Sequence, residues 1–160
     1  MDIRLIEKSD ASLLAPVFDA YRQFYEQASD EASALHYLGV RLAAGDCFGV
    51  VAVDETDQDI AKARGFGLVY PTFSSVRMKP VWVLNDFFVV PDERSSGLAA
   101  RLMVRLFALA EERGIGQISL ITHETNTRAQ AHYRKMGWKQ SEFLRFEREI
   151  RRQPRGDQKP

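Results

Sequence analysis

Residues 81–114, VWVLNDFFVVPDERSSGLAARLMVRLFALAEERG, read as one strand–turn–helix unit. Val81 to Val90 is apolar on both faces, the pattern of a strand buried in mid-sheet. Pro91 ends it, because proline has no N–H to give a ladder. Beyond the turn, Leu98, Leu102, Met103, Leu106, Phe107 and Ala110 recur at helical spacing, which predicts a helix with one apolar face. Gly114 supplies its stop. Between strand and helix stands Arg94-Ser95-Ser96-Gly97-Leu98-Ala99. A helix start leaves N–H groups unpaired and carries partial positive charge, which suits a phosphate. Gly97, lacking Cβ, lets a ligand approach the backbone, and Arg94 adds a full charge. The same residues equally make an ordinary connection capped by Ser95 or Ser96.

Asn85-Asp86 interrupts the apolar strand. Burying an unpaired carboxylate is strongly unfavourable, so Asp86 has to be paired, hydrated or lining a cleft. Successive strand side chains point to opposite faces, so only one of the two faces a given cleft unless a bulge intervenes.

Upstream, residues 2–6 alternate and read as a first strand. Ser9 or Asp10 caps a helix running to about Gln27, with Leu13, Leu14, Val17, Phe18, Tyr21, Phe24 and Tyr25 at helical spacing. Tyr21 and Tyr25 share one face, and Phe24 reads as core. Asp30 caps a second helix over 31–44, stopped by Gly45. Strands follow at 47–53 and 60–70, with a polar hairpin loop from Asp54 to Asp59. Residues 71–80, PTFSSVRMKP, read as a proline-bounded loop placed to lie over a site mouth, basic through Arg77 and Lys79.

Downstream, Gln117–Thr122 is a short apolar strand. Thr125 or Asn126 caps a helix to about Met136, stopped by Gly137. Residues 138–149 alternate loosely and predict the last one or two strands. His123 and Glu124 suit either a substrate-positioning role or a solvated strand end. The order β-α-α-β-β-β-α-β-α-β-β is that of an α/β fold with a mixed, mostly antiparallel central sheet flanked by helices. No Gly-x-Gly-x-x-Gly and no serial βαβ alternation point to a Rossmann fold.

At 160 residues, one domain over 1–150 with a sizeable core is expected, and a disordered tail at 151–160. Zero formal net charge gives no general attraction to nucleic acid or anionic lipid. No signal-peptide pattern and no apolar run near the roughly 20 residues of a membrane span are present. The single cysteine, Cys47, forms no internal disulfide and reads as a small core residue, so a cytoplasmic protein is expected. His36 has no second ligand-type residue at i+4, so no metal site is expected.

Arg94-x-x-Gly97-x-Ala99 after Val89-Val90-Pro91 resembles the acetyl-CoA pyrophosphate loop of the GNAT N-acetyltransferases. Asn126-x-x-Ala129-x-x-x-Tyr133-x-x-x-Gly137-Trp138 resembles that family's second signature. Leu84 to Val89 is similar to the matching strand of the spermidine/spermine N-acetyltransferase branch. The likeness spans residues 2–149 in element order and is specific between 84 and 138.

The resemblance implies acetyl-CoA as co-substrate, no metal, and direct attack by an amine on the thioester. Phe87, Phe88 and Val89 would flank the thioester arm, with the Phe88–Val89 amides polarising its carbonyl. Arg94, Ser95, Ser96, Gly97, Leu98, Ala99 and Ala100 would hold the pyrophosphate, and Asn126 and Ala129 would add cofactor contacts. Tyr133 would be the general acid: a phenol, with an ordinary pKa of about 10, keeps its proton at neutral pH. The resemblance puts Tyr21 and Tyr25 in the acceptor pocket with Asn85 and Asp86. The polyamine enzymes carry Glu-Asp where this chain has Asn85-Asp86, which removes the direct carboxylate base and leaves Asp86. A small primary amine, polyamine or amino-acid-like, is the expected acceptor, and a homodimer the expected assembly. A protein lysine or N-terminus, or a non-catalytic acyl-CoA sensor, are the alternatives.

Overall fold

The computed structural model describes residues 1–55 and 61–150. Most of the expected 54–59 loop and the whole 151–160 tail lie outside those residues. The chain divides into two units, Met1–His123 and Glu124–Pro160.

The first unit holds β1 (Asp2–Leu5), α1 (Ala11–Phe24), α2 (Glu31–Ala44), β2 (Phe48–Asp54), β3 (Lys62–Ser74), β4 (Lys79–Val89), α3 (Leu98–Glu112) and β5 (Ile118–Leu120). The strands form one five-stranded sheet in the order β1-β2-β3-β4-β5. Pairing is antiparallel from β1 to β4, and β5 joins β4 in parallel.

One face carries α1 and α2: Leu14, Val17, Phe18, Ala34, Leu38 and Leu42 pack on Val51, Val53, Phe66, Leu68 and Phe88. The other face carries α3. On this face a Cβ on Gly65 would meet Leu102 Cδ1 at 3.1 Å, so glycine here lets α3 pack closely on the sheet. Leu102, Met103 and Leu106 are fully buried, each contributing about 1.5–3 kcal/mol of hydrophobic stabilisation.

Helix ends follow the sequence closely. Asp30 accepts from Ser33 N at 2.9 Å to cap α2, and α2 stops at left-handed Gly45. Past α3, Gly114 has φ +66 and Ile115 N–H reaches Ala110 O at 2.8 Å, a Schellman closure. At the start of α1, Asp10 does not cap. Its carboxylate is drawn instead into a bidentate pair with Arg4, at 2.6 and 2.8 Å, and accepts from Glu7 N.

Two expectations for this unit are corrected. Residues 71–80 are not a loop over a site mouth: β3 runs to Ser74, β4 starts at Lys79, and only 75–78 turn between them. The prolines fit because β3 loses its β2 partner after Val69, and proline is tolerated on an edge segment. Arg77 is engaged by the Gln117 side chain. Phe24 is no core residue: it ends α1 and is 50% exposed.

The second unit contains α4 (Thr127–Lys135). Asn126 caps it by accepting from Ala129 N at 3.1 Å, and Gly137 follows with φ +86. Residues 138–150 form no strand, against expectation. Phe143 beside Leu144 puts bulky apolar groups on both faces, no ladder pairs the segment, and Phe143, Leu144 and Phe146 are exposed.

Candidate active site

The site begins with an extra residue. Leu68 opposes Asp86, but the next residue of β3, Val69, opposes Leu84. Asn85 is therefore a β-bulge, left exposed, while Asp86 turns to the α1 face and is only 6% exposed. Asn85 Nδ2 donates to Asp86 Oδ1 at 3.2 Å. The Tyr21 hydroxyl of α1 donates to the same carboxylate. Burial pushes the Asp86 carboxyl above its usual range, and those two hydrogen bonds hold back part of the rise.

Beyond the bulge β4 also changes neighbours. Parallel pairing with β5 ends at Leu84 opposite Leu120, whereas pairing with β3 continues to Val89. Among the described residues, the β5-side edge of Asn85–Val89 thus has no ladder partner. An open backbone edge is where an extended ligand arm can lie.

Rings gather on the α1 side of this edge. Tyr21 lies 6.0 Å from Phe88 and 5.2 Å from Tyr25, centroid to centroid. A second polar group was not visible in the sequence. Tyr70 and Tyr37 hydroxyls stand 2.9 Å apart. Burial first, then the Tyr37 bond, hold the Tyr70 hydroxyl far above its ordinary pKa. Burial likewise raises the Cys47 thiol, as suits a core cysteine. The only sequence signal for this group was a tyrosine late in an apolar strand.

After Val89 a short 3-10 turn, Pro91–Glu93, leads into the loop. Ser95 has φ +79 and Gly97 φ +86. Among the described residues, and apart from its own chain neighbours, no atom lies within 4 Å of where a Gly97 Cβ would stand. Neither serine is the N-cap residue, a position Gly97 takes, but the Ser96 hydroxyl accepts from Leu98 N at 3.2 Å. Arg101 N–H is the first to reach a carbonyl, Gly97 O, so the Ala99 and Ala100 amides precede the first intrahelical bond. The Arg94 guanidinium carbon sits 5.4 Å from the Phe24 ring centroid and 5.7 Å from that of Phe88. An open backbone turn, first-turn amides and a nearby guanidinium together fit a pyrophosphate.

In the second unit, Tyr133 is half-buried on α4, its ring 6.0 Å from Trp138. Asn126 and Ala129 form the helix cap itself. His123 and Glu124, just past β5, are exposed. Among the described residues no group of three metal-ligating side chains occurs, and no helix is long and apolar enough to cross a membrane.

A family model described as "Acetyltransferase (GNAT) family" matches residues 11–138. The chain belongs to the GNAT acetyltransferase family. As a GNAT protein it is an acetyltransferase. It is 38% identical over 140 residues to an uncharacterized N-acetyltransferase, YhfO, of Bacillus subtilis (strain 168), covering 88% of this chain and 91% of the relative. It is 27% identical over 73 residues to a thialysine N-epsilon-acetyltransferase of Bos taurus, covering 46% of this chain and 42% of that one. A crystal structure of a probable acetyltransferase superposes with a TM-score of 0.84 at 29% identity, over 96% of this chain and 100% of that one. The five-stranded mixed sheet with helices on both faces is the GNAT arrangement expected from the sequence.

Proposed function

We propose that this GNAT protein moves an acetyl group from acetyl-CoA to a small primary amine by direct attack, and that Asp86 receives the amine's proton. One observation carries the reading: the buried carboxylate of β4, Asp86, held by Tyr21 and Asn85, immediately precedes Phe87–Val89 on the open edge.

Acetyl-CoA supplies an activated acetyl thioester. Arg94, the Gly97 turn and the amides of Leu98–Ala100 bind its pyrophosphate in this reading, with Ser95, Ser96, Asn126 and Ala129 as further contacts. The Phe88–Val89 amides stabilise negative charge developing on the carbonyl oxygen. An amine with a lysine-like pKa of about 10.4 is nearly all protonated at pH 7, and making it neutral costs roughly 4–5 kcal/mol. Asp86 first attracts the ammonium and then takes a proton, directly or through a water. A carboxyl raised above its ordinary range by burial is a better proton acceptor than one at its ordinary value. Tyr133 gives its proton to the departing sulfur. Tyr21 and Tyr25 line the acceptor's alkyl stem, and Asn85 the pocket rim.

The thialysine relative acts on an amino-acid-like amine, which supports a small acceptor and a place near the spermidine/spermine branch. The family match crosses both units, which supports reading residues 1–150 as one acetyltransferase domain. We further propose a cytoplasmic protein that assembles as a homodimer, the assembly being tested by sedimentation. The deciding experiment is acetyl-CoA turnover with putrescine, spermidine, free amino acids and a lysine peptide. Turnover of one or more small amines is expected. Activity confined to the peptide would replace the small acceptor by a protein lysine.

A further inference from the structure

We propose that Phe24 is a positioning residue for the cofactor: with Phe88 it holds the Arg94 guanidinium, undiminished in charge, ready for the pyrophosphate. The inference rests on the reading of Arg94 given above and extends it to a residue of α1.

Phe24 is 50% exposed at the end of α1, so core packing does not account for it. Its ring lies 6.3 Å from that of buried Phe88, and the Arg94 guanidinium carbon stands within 5.7 Å of both centroids. A guanidinium within about 6 Å of a ring centroid is attracted by the ring's quadrupole. Arg94 Nε also donates to Val89 O at 3.4 Å, which turns one edge of the guanidinium toward the strand. The terminal nitrogens remain as donors for an anion.

Among the described residues, no carboxylate lies within ion-pair distance of Arg94. Asp92 and Glu93 lie 3.9 and 3.7 Å from the other arginine of this corner, Arg64. That arrangement has a chemical meaning. A carboxylate partner would fix Arg94 but neutralise it, and would have to be displaced before a phosphate could bind. Two rings fix the cation and leave its charge available. The same rings continue through Tyr25 and Tyr21 to Asp86, so one aromatic cluster steadies both ends of the site.

The test compares acetyl-CoA with S-acetylpantetheine, which lacks the pyrophosphate. In Phe24→Ala the KM for acetyl-CoA should rise on the order of 3- to 30-fold, from the loss of a cation–π contact. The KM for S-acetylpantetheine should rise several-fold less. Phe24→Leu, which keeps apolar bulk without a π face, should behave like Phe24→Ala, and Phe24→Trp should restore the wild-type value. Adding Phe24→Ala to Arg94→Ala should cost nothing further. Equal losses with both thioesters, or wild-type KM for acetyl-CoA in Phe24→Leu, would overturn the inference while leaving the acetyltransferase reading intact. A wild-type protein that neither binds nor uses acetyl-CoA would overturn both, a result separate from any seen only in the variants.

Discussion

The two ends of the candidate site are built by opposite means. At Asp86 the chemistry is made by side chains: a carboxylate forced out of water, two hydrogen-bonding partners and a cluster of rings. At Gly97 it is made by backbone: positive φ, open space and helix-start amides, with the Arg94 guanidinium beside them. The first end therefore depends on burial and pH, and the second on shape. Substitutions should separate them by which kinetic constant moves.

The largest effect is expected from a group belonging to neither end. Tyr133→Phe keeps the ring and removes a proton donor, and a general acid typically contributes on the order of 10²–10⁴ in rate. Its kcat should fall within that range while acetyl-CoA affinity, measured by calorimetry, stays near wild type. An unchanged kcat would mean that another group or water protonates the sulfur. Next comes Gly97→Glu. A side chain here fills the open space, places a negative charge against a phosphate site and strains a φ of +86. Acetyl-CoA affinity should fall on the order of 100-fold, with circular dichroism confirming the fold. Unchanged affinity would remove the pyrophosphate assignment.

Asp86→Asn should move the other constant: a fall of roughly 10- to 100-fold in kcat/KM for the amine, with the KM for acetyl-CoA held. Wild-type activity should rise with pH as Asp86 ionises, and this limb should vanish in the variant. An unchanged pH profile would take Asp86 out of the mechanism. Stability should move the opposite way. Because the folded carboxyl has a raised pKa, its contribution is present at low pH and is lost as pH rises through that value. Asp86→Asn should therefore match wild type in Tm near pH 4 and exceed it at pH 8, by roughly 2–4 °C per kcal/mol recovered. The smallest effect tests whether the loop needs its side chains. Ser96→Ala loses the acceptor for Leu98 N and should cost about 1 kcal/mol of stability, read by thermal melting, with modest change in cofactor affinity. A hundredfold loss of affinity would show that the loop is not a backbone device.

The β4–α3 unit was legible because its two signals are local: apolar on both faces, then apolar at helical spacing. Helix ends at Asp30, Gly45, Gly114 and Asn126 were legible for the same reason. The 71–80 hairpin was not, because Pro71 and Pro80 break ladders only when both edges of a strand are occupied, and that is a fact of sheet order. Of Ser9 and Asp10, Asp10 does take the N-cap position of α1, but its carboxylate is held by Arg4 from β1 and caps no N–H of that helix, a contact no local pattern shows. Asp86 stood out as a charge in an apolar run, whereas the Tyr37–Tyr70 pair joins residues from α2 and β3 and left no local trace. Phe24 had the right spacing for the core, but the helix ended beneath it.

The amide at position 85 has one further consequence. Where two carboxylates adjoin, their protons leave in two coupled steps whose apparent values belong to the pair. Here the neighbour bonded to Asp86 at 3.2 Å is an uncharged amide, donating through Nδ2, with no proton of its own to lose near neutral pH. With no second carboxyl bonded to it, Asp86 should titrate along a one-proton curve with a Hill slope of about 1.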